Sequence, residues 1–224
     1  MSLGKENKND GMAGGLANRH AQREELALKL QEIGAVKFGI FTLKSGLKSP
    51  VYIDLRLLVS YPGALRLVAK ELAAKAEGLK FDCIAGIPLA AVSIATAVSL
   101  EKNWRAIFPR TNAKDYGTKA LVEGKFSAGE TVLVIDDLIT TGASKFEAIA
   151  PLEKSGLKVN DILVLIDREQ GGKDELAKSG LALHAVFNVS ELLEMLHRHG
   201  KIDELHYGSA KEYFKNPQKW QEGK

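Results

Sequence analysis

The stretch 131–144 places the strongest constraint on the fold. An apolar run, Val-Leu-Val-Ile at 132–135, is followed by the carboxylates Asp136 and Asp137 and then by the small, hydroxyl-rich segment 140–144. A short β-branched run of this kind is typical of a central strand in a parallel sheet that is covered on both faces. The residues after such a strand lie at the carboxyl edge of the sheet, where open α/β folds bind ligands. We therefore expect a strand, a binding loop and a helix start, in that order.

The side chains of this stretch are complementary to a phosphorylated sugar. Asp136 and Asp137 can accept hydrogen bonds from vicinal hydroxyls, such as those of a ribose, or help to hold a hydrated Mg²⁺. The segment 140–144 offers hydroxyl groups and free backbone N–H groups at a helix N-terminus, which together make an anion site. An ordinary βα turn with an acidic edge is the alternative interpretation of the same residues.

Residues 134–144 resemble the phosphoribosyl pyrophosphate (PRPP) motif of the type I phosphoribosyltransferases. The resemblance implies an α/β fold, with a central, mostly parallel sheet flanked by helices and a small N-terminal hood. It also implies that PRPP is the donor substrate. The PRPP-binding residues implied within the motif are Asp136, Asp137, Leu138, Ile139, Thr140, Thr141, Gly142, Ala143 and Ser144.

Two other segments resemble motifs of the orotate phosphoribosyltransferase family. Residues 42–46, Thr-Leu-Lys-Ser-Gly, lie in a predicted hairpin, and residues 167–173, Asp-Arg-Glu-Gln-Gly-Gly-Lys, follow a predicted strand. In the family, the residue matching Lys44 reaches the pyrophosphate side of the site, and the residue matching Arg168 contacts orotate. A planar guanidinium suits a carboxylate or a ring carbonyl edge. The implied orotate-binding residues are Lys44, Thr140 and Arg168.

The basic segment 110–124 contains glycines and charges but little apolar periodicity, and its length is typical of a lid. It resembles the mobile catalytic loop of the orotate family, which closes over PRPP and, in the family dimer, over the partner's site. The closest resemblance, notably in Asp-Tyr-Gly-Thr-Lys at 115–119, is to the orotate phosphoribosyltransferase half of eukaryotic-type UMP synthase. The implied PRPP contacts outside the motif are Lys44, Arg110, Lys114 and Tyr116, and the implied catalytic residues are Lys114, Arg110 and Asp137.

A further loop follows the apolar run 82–86. Residues 85–91, Ala-Gly-Ile-Pro-Leu-Ala-Ala, lie at another carboxyl strand end and could offer backbone N–H groups to pyrophosphate. Many bacterial orotate enzymes carry a lysine in this loop, whereas Ala90 stands at about that place here. The eukaryotic-type members also lack the lysine.

The resemblance implies a pentosyltransferase, EC 2.4.2.10, that transfers phosphoribose from PRPP to orotate in de novo UMP synthesis. Mg²⁺ is the implied cofactor and enters as Mg–PRPP, with Asp137 as an indirect contact. Two alternatives remain open: a phosphoribosyltransferase for another base, and a catalytically weak PRPP-binding regulatory paralogue. Thr111 favours the second, because the family usually carries a basic residue there.

The composition limits the number of domains and the kinds of partner that the chain can bind. With 224 residues, of which 45% are hydrophobic and 26% charged, the chain is expected to form one domain. A net charge of +3 without a dense Lys/Arg block predicts no nucleic-acid partner.

The chain contains a single cysteine, Cys83, which excludes an internal disulfide and is expected to be buried. The absence of a long apolar run and of a signal peptide predicts no membrane span and a cytoplasmic location. A homodimer sharing loop 110–124 is implied by the family.

Local patterns predict the order of elements along the chain. We expect a disordered tail at 1–20, because it is polar and glycine-rich, and a single domain at 21–224 with its hood mainly at 21–60. A hairpin is expected at 38–55. Helices are predicted at 22–33, 62–77, 88–102, 144–154 (kinked or shortened by Pro151) and 191–199, and strands at 82–86, 105–109, 132–135, 159–166 and 181–189. His184, His197, His199 and His206 show no ligand spacing with one another or with acids and are expected to titrate in solvent.

Overall fold

The computed structural model describes residues 9–43, 46–110 and 121–220. Lys44, Thr111, Lys114 and Tyr116 lie outside these ranges, so the roles assigned to them from the sequence stay predictions. None of the helices in the described part of the chain combines the length and apolarity needed to cross a membrane.

The first helix is longer than the sequence predicted. Helix α1 spans Asn9–Glu32, so residues 9–20 are helical where a disordered tail was expected. Leu26 and Leu30 have no exposed surface and anchor the predicted amphipathic part. The earlier part lacks apolar periodicity, but long-range ion pairs form along the helix, including Arg19 with Glu77 at 2.9 Å. Such tertiary contacts leave no local sequence pattern.

The predicted hairpin is confirmed as a separate two-stranded sheet. Strands β1 (Val36–Thr42) and β2 (Lys48–Ile53) pair antiparallel and form the hood. A 3-10 helix, Leu55–Ser60, then leads from the hood towards the rest of the domain.

Within the described residues, the central sheet has six strands. They are β3 (Cys83–Gly86), β4 (Ala106–Pro109), β5 (Val122–Glu123), β6 (Thr131–Ile139), β7 (Lys158–Asp167) and β8 (Ala182–Asn188). Their order is β5-β4-β3-β6-β7-β8, and all neighbours are parallel except β4 and β5. The expected fold class, a mostly parallel sheet flanked by helices, is therefore confirmed.

Six further α-helices complete the part of the fold that the structure describes. They are α2 (Pro62–Ala76), α3 (Ala90–Lys102), α4 (Ala143–Lys154), α5 (Gly172–Lys178), α6 (Val189–Arg198) and α7 (Glu204–Lys215). Helix α3 begins two residues later than predicted, because residues 87–89 belong to a loop. Helix α4 continues through Pro151 to its predicted end, where the hydroxyl of Ser155 donates to the Pro151 carbonyl at 2.8 Å.

Alternating strand residues bury both faces of the sheet. Ile84 and Leu133 lie in the core that also contains side chains of α1, α2, α3 and α6. Cys83 and Val132, one position earlier on the same strands, lie in the second core with side chains of α4 and α5. This is the three-layer arrangement that a period of two predicts for a doubly covered sheet. Burial also raises the pKa of the Cys83 thiol, which fits its expected structural role.

The sheet order creates a crevice at the junction of β3 and β6. The chain passes from β3 to β4 on one side, and from β6 to β7 on the other. Loops that follow two such neighbouring strands diverge, and the gap between them at the carboxyl edge is the usual ligand site of open α/β sheets.

Each of the four histidines lies within ion-pair distance of a carboxylate, although no spacing with acids was expected. The Nε2 atom of the half-buried His184 lies 2.7 Å from Asp161 Oδ1. His197 lies 3.0 Å from Glu204, and His206 lies 2.8 Å from Asp203. His199 lies 3.6 Å from Glu24. Asp203 lies three residues before His206, whereas the acids near the other three histidines are more distant in sequence.

Candidate active site

A cavity of about 560 Å³ occupies the crevice between the ends of β3 and β6. Its lining includes four residues predicted from the sequence: Arg110, Asp136, Asp137 and Ser144. Loop residues 87–90 form another wall, as expected for the segment after β3. Arg56 and Pro151 also line it, and the sequence had not indicated either. The structure thus brings three separated segments of the predicted site to one cavity.

The two carboxylates lie within strand β6 and not after it. Strand β6 extends to Ile139, with Asp136 opposite Val164 and Ile139 opposite Asp167 on β7. The predicted strand end at residue 135 is therefore wrong, because pairing with β7 continues past the apolar run. Both residues line the cavity, but Asp136 is buried and Asp137 is only partly buried.

Asp136 forms a buried ion pair with Lys145 of helix α4. The two residues are 5% and 6% exposed, and Lys145 Nζ donates to Asp136 Oδ2. Asp136 Oδ1 accepts a hydrogen bond from the backbone N–H of Asp137 at 2.7 Å. Burial raises the pKa of Asp136 to about 7, and the positive charge of Lys145 opposes this rise. The sequence analysis missed Lys145, and no periodicity rule would have paired it with Asp136.

Asp137 is the more accessible carboxylate. Its Oδ1 atom accepts a hydrogen bond from the backbone N–H of Leu138 at 2.7 Å. No other hydrogen bond to this carboxylate is formed within the described ranges, so it retains acceptor capacity at the cavity wall. That capacity suits the vicinal hydroxyls of a sugar.

The segment 140–144 forms the predicted loop between β6 and α4. Gly142 precedes the helix with φ of 89°, a left-handed conformation that glycine adopts without steric cost. Thr141 and Ser144 are exposed. The first N–H groups of an α-helix have no intrahelical acceptor, so this loop and helix start can bind an anion such as a phosphate.

Backbone hydrogen bonds join the Arg168 segment to this loop. The N–H of Arg168 donates to the Ile139 carbonyl, and the N–H of Gly172 donates to the Thr140 carbonyl, both at 3.0 Å. Thr140 and Arg168, which were both assigned to orotate, are therefore on directly connected backbone segments.

The carboxylate of Asp167 shapes the same turn. It is 6% exposed, and its Oδ1 atom accepts from the backbone N–H of Glu169 at 2.8 Å. Burial raises the pKa of Asp167, while this hydrogen bond lowers it. Asp167 thus positions the residues around Arg168, a role that the sequence analysis did not assign.

An aromatic ring of helix α7 supports the Arg168 side chain. The guanidinium carbon lies 5.5 Å from the centroid of the Phe214 ring, and Phe214 packs edge-on against the buried Tyr213. The buried Nε atom of Arg168 has no hydrogen-bond partner in the described part of the protein.

Both ends of the predicted lid meet beside the cavity. Arg110 forms an ion pair with Glu123, and its backbone N–H donates to the Leu121 carbonyl at 2.9 Å. Strands β4 and β5 pair antiparallel at this point. Residues 111–120 lie outside the described ranges, so the assignments of Lys114 and Tyr116 remain untested.

A steric prediction arises from the contact between these loops. A Cβ atom at Gly172 would lie 2.7 Å from both the Ile139 side chain and the Thr140 carbonyl oxygen. Gly172→Ala should therefore cost about 1–3 kcal/mol of unfolding free energy, measured by urea denaturation. Gly208→Ala in α7, where nothing lies within 4 Å of the added Cβ, should be neutral or stabilising. Equal stability of the two variants would contradict the close approach.

Comparisons with known proteins identify the family. No family model matches the chain. The uridine 5'-monophosphate synthase of Bos taurus is 44% identical over 180 residues, which are 80% of this chain and 38% of that protein. The orotate phosphoribosyltransferase of Pyrococcus furiosus is 40% identical over 174 residues, 77% of this chain and 96% of that protein. The chain belongs to the orotate phosphoribosyltransferase family.

Solved structures agree with this orotate phosphoribosyltransferase assignment. Leishmania donovani UMP synthase aligns with a TM-score of 0.80 and 44% identity, covering 86% of this chain and 42% of that one. A Mycobacterium tuberculosis orotate phosphoribosyltransferase in complex with PRPP aligns with a TM-score of 0.64 and 26% identity, covering 76% and 98%. The family and fold expected from the motifs are confirmed. The chain spans well under half the length of the bifunctional relatives.

Proposed function

We propose that this protein transfers phosphoribose from PRPP to N1 of orotate, giving orotidine 5'-monophosphate and pyrophosphate in de novo UMP synthesis. The observation that carries the proposal is that Asp137 and Ser144 line one cavity at the carboxyl edge of the sheet, where backbone hydrogen bonds join the loop 140–144 to the Arg168 segment. The identity to a full-length orotate phosphoribosyltransferase supports it.

Different described residues are proposed to bind different parts of the substrates. The N–H groups and hydroxyls of segment 140–144 hold the 5'-phosphate of PRPP. Asp137 accepts hydrogen bonds from the ribose hydroxyls, and Asp136 is expected to assist, although its carboxylate already has Lys145 as a partner. Arg168 binds the orotate carboxylate through its guanidinium. Lys44, Lys114 and Tyr116 are proposed contacts outside the described ranges.

The reaction requires electrostatic stabilisation more than a nucleophilic side chain. Orotate N1 forms a bond to ribose C1 as the bond from C1 to the pyrophosphate oxygen breaks. Positive charge develops on the ribose ring and negative charge on the leaving group. Asp137 lies near the positive charge on the ribose ring. Arg110 and the proposed cations of loop 110–124 neutralise the negative charge on the leaving group. Closure of loop 110–124 would exclude water from the site.

The residues at the cavity fit a metal that arrives with the substrate. No group of three or more His, Cys, Asp or Glu side chains in the described ranges could hold a metal ion by itself. Mg²⁺ is usually bound through one or two carboxylates together with substrate phosphates. Asp137 is the proposed indirect contact, and bound Mg²⁺ would offset the charge of the pyrophosphate.

A homodimer that shares loop 110–124 across its interface is also proposed, on the basis of the family resemblance. Mixing an Arg110→Ala chain with an Asp137→Asn chain tests it. If the loop acts in the partner's site, the mixture should recover up to about a quarter of wild-type activity, since one site in a mixed dimer would be intact. No recovery in a mixture shown to exchange subunits would contradict loop sharing. The cytoplasmic location stays a prediction.

The proposed activity is tested by a spectrophotometric assay with PRPP, Mg²⁺ and one base at a time: orotate, uracil, adenine or xanthine. We expect turnover of orotate and none of the purines. Turnover of a purine alone would instead support a phosphoribosyltransferase for another base. PRPP binding without turnover of any base would support the catalytically weak paralogue.

The contact between Phe214 and Arg168 predicts a selective effect on orotate. Phe214→Leu removes the ring that stacks on the guanidinium, a contact worth about 0.5–1 kcal/mol, so KM for orotate should rise about 2–5-fold. KM for PRPP should change little. Tyr207→Leu removes an aromatic ring from the same helix without touching Arg168 and serves as control. A rise in both KM values would instead indicate a general disturbance of the fold.

A further inference from the structure

Arg56 lines the candidate active site but belongs to none of the motifs recognised in the sequence. It lies in the 3-10 helix Leu55–Ser60, directly after strand β2, and lines the same cavity as the loop 87–90 and Asp137. Its side chain is 68% exposed. An exposed arginine at a cavity that also holds catalytic carboxylates can contact a ligand there.

The guanidinium of Arg56 is held in one orientation. Its Nε and Nη2 atoms donate to Asp54 Oδ1 and Oδ2 at 2.7 and 2.8 Å, and Nη2 also lies 3.3 Å from the Tyr52 hydroxyl. Asp54 is itself fixed, because it caps the 3-10 helix by accepting from the Arg56 backbone N–H. The remaining nitrogen, Nη1, has no hydrogen-bond partner within the described ranges. Its two donors are therefore available in a pre-organised position.

The charge balance of the cavity indicates what Arg56 binds. The lining contains three acids, Asp136, Asp137 and Glu147, and its cations among the described residues are Arg56 and Arg110. Both arginines are ion-paired, Arg110 with Glu123 and Arg56 with Asp54, and Arg56 retains the two donors of Nη1. The apolar loop 87–90, Ile-Pro-Leu-Ala, contributes no charged side chain. A highly charged anion at this wall would need the donors of Arg56 in addition to backbone N–H groups.

We infer that Arg56 binds the pyrophosphate group of PRPP and of the product through Nη1, with Asp54 and Tyr52 as positioning residues. The inference rests on the proposed function and extends it by a residue outside the PRPP motif. The Asp54 carboxylate fixes the orientation of the guanidinium group. The free nitrogen, Nη1, then faces an anion that carries more charge than Asp54.

Calorimetric titration of the full chain with Mg²⁺–pyrophosphate and, separately, with ribose 5-phosphate tests this assignment. Arg56→Gln should raise Kd for Mg²⁺–pyrophosphate about tenfold or more, while Kd for ribose 5-phosphate stays within about twofold of wild type. The Kd of Arg56→Lys for Mg²⁺–pyrophosphate should lie between those of wild type and Arg56→Gln, because lysine keeps the positive charge but lacks the planar guanidinium. The control Arg66→Gln, an exposed arginine on α2, should bind both ligands normally.

The positioning role has its own readout. Tyr52→Phe should raise Kd for Mg²⁺–pyrophosphate about two- to threefold in the presence of Arg56 and should add nothing in the Arg56→Gln background. Unchanged pyrophosphate binding by Arg56→Gln, with normal ribose 5-phosphate binding, would overturn the inference and leave the proposed function intact. If the wild-type chain bound neither ligand, the proposed function would fail and the inference with it.

Discussion

Replacement of Asp137 by asparagine should lower kcat for orotate turnover about 100-fold. The substitution preserves shape and removes the negative charge at the cavity wall that would face the developing positive charge on the ribose. Losing one pre-organised electrostatic contact to a transition state typically costs 10²–10³ in rate, or about 3–4 kcal/mol. Steady-state kinetics with saturating PRPP and orotate measures the effect.

Glu147 provides a matched control for this experiment. It is an exposed acid of α4 that lines the same cavity but lies outside the PRPP motif. Glu147→Gln removes one negative charge from the cavity and should leave kcat within about twofold, because exposed charges are screened by solvent. If both variants lost activity equally, the effect would arise from the overall field of the cavity and not from contact with ribose.

Replacement of Lys145 by methionine should destabilise the protein by about 3–5 kcal/mol at alkaline pH. The change removes one partner of a buried ion pair and leaves the Asp136 carboxylate without its cation. Urea denaturation at pH 9 measures the loss. The double variant Asp136→Asn/Lys145→Met removes both charges and should recover much of the stability. A single variant as stable as wild type at pH 9 would show that the pair contributes nothing.

The same variant should show a characteristic pH dependence. Burial raises the pKa of Asp136 to about 7 from the ordinary value of 3.8, so the folded state favours the protonated acid. Its contribution to stability is therefore complete below pH 3.8 and is lost as pH rises through about 7. Without Lys145 the pKa rises further, so the difference between variant and wild type should grow from pH 6 to pH 9. A constant difference across this range would contradict the assignment.

The family and the donor substrate of the proposed reaction were predictable from local sequence. The carboxylate pair and the hydroxyl-rich segment 140–144 must be consecutive in the chain, because one strand end and one helix start present them together. Apolar runs and helix spacings also identified every strand of the central sheet except the two-residue β5. Short-range patterns report such features reliably, since they arise from residues a few positions apart.

The strand end at Ile139 and the helix start at Asn9 could not be predicted in the same way. Strand β6 continues through Asp136 and Asp137 because β7 lies beside it and supplies hydrogen bonds. Helix α1 continues into polar sequence that carries none of the apolar periodicity on which the prediction relied. For strand β6 the deciding contact is therefore between segments that are distant in sequence.

The sequence by itself thus determined the order of elements, the PRPP motif and the residues that carry the proposed chemistry. Only the tertiary structure decided that Lys145 neutralises Asp136, that Phe214 supports Arg168 and that Arg56 enters the cavity. The physical reason is that sheet order and helix packing bring together side chains whose separation along the chain follows no period. Local propensity determines the secondary structure of each segment, whereas packing determines which side chains meet at the site.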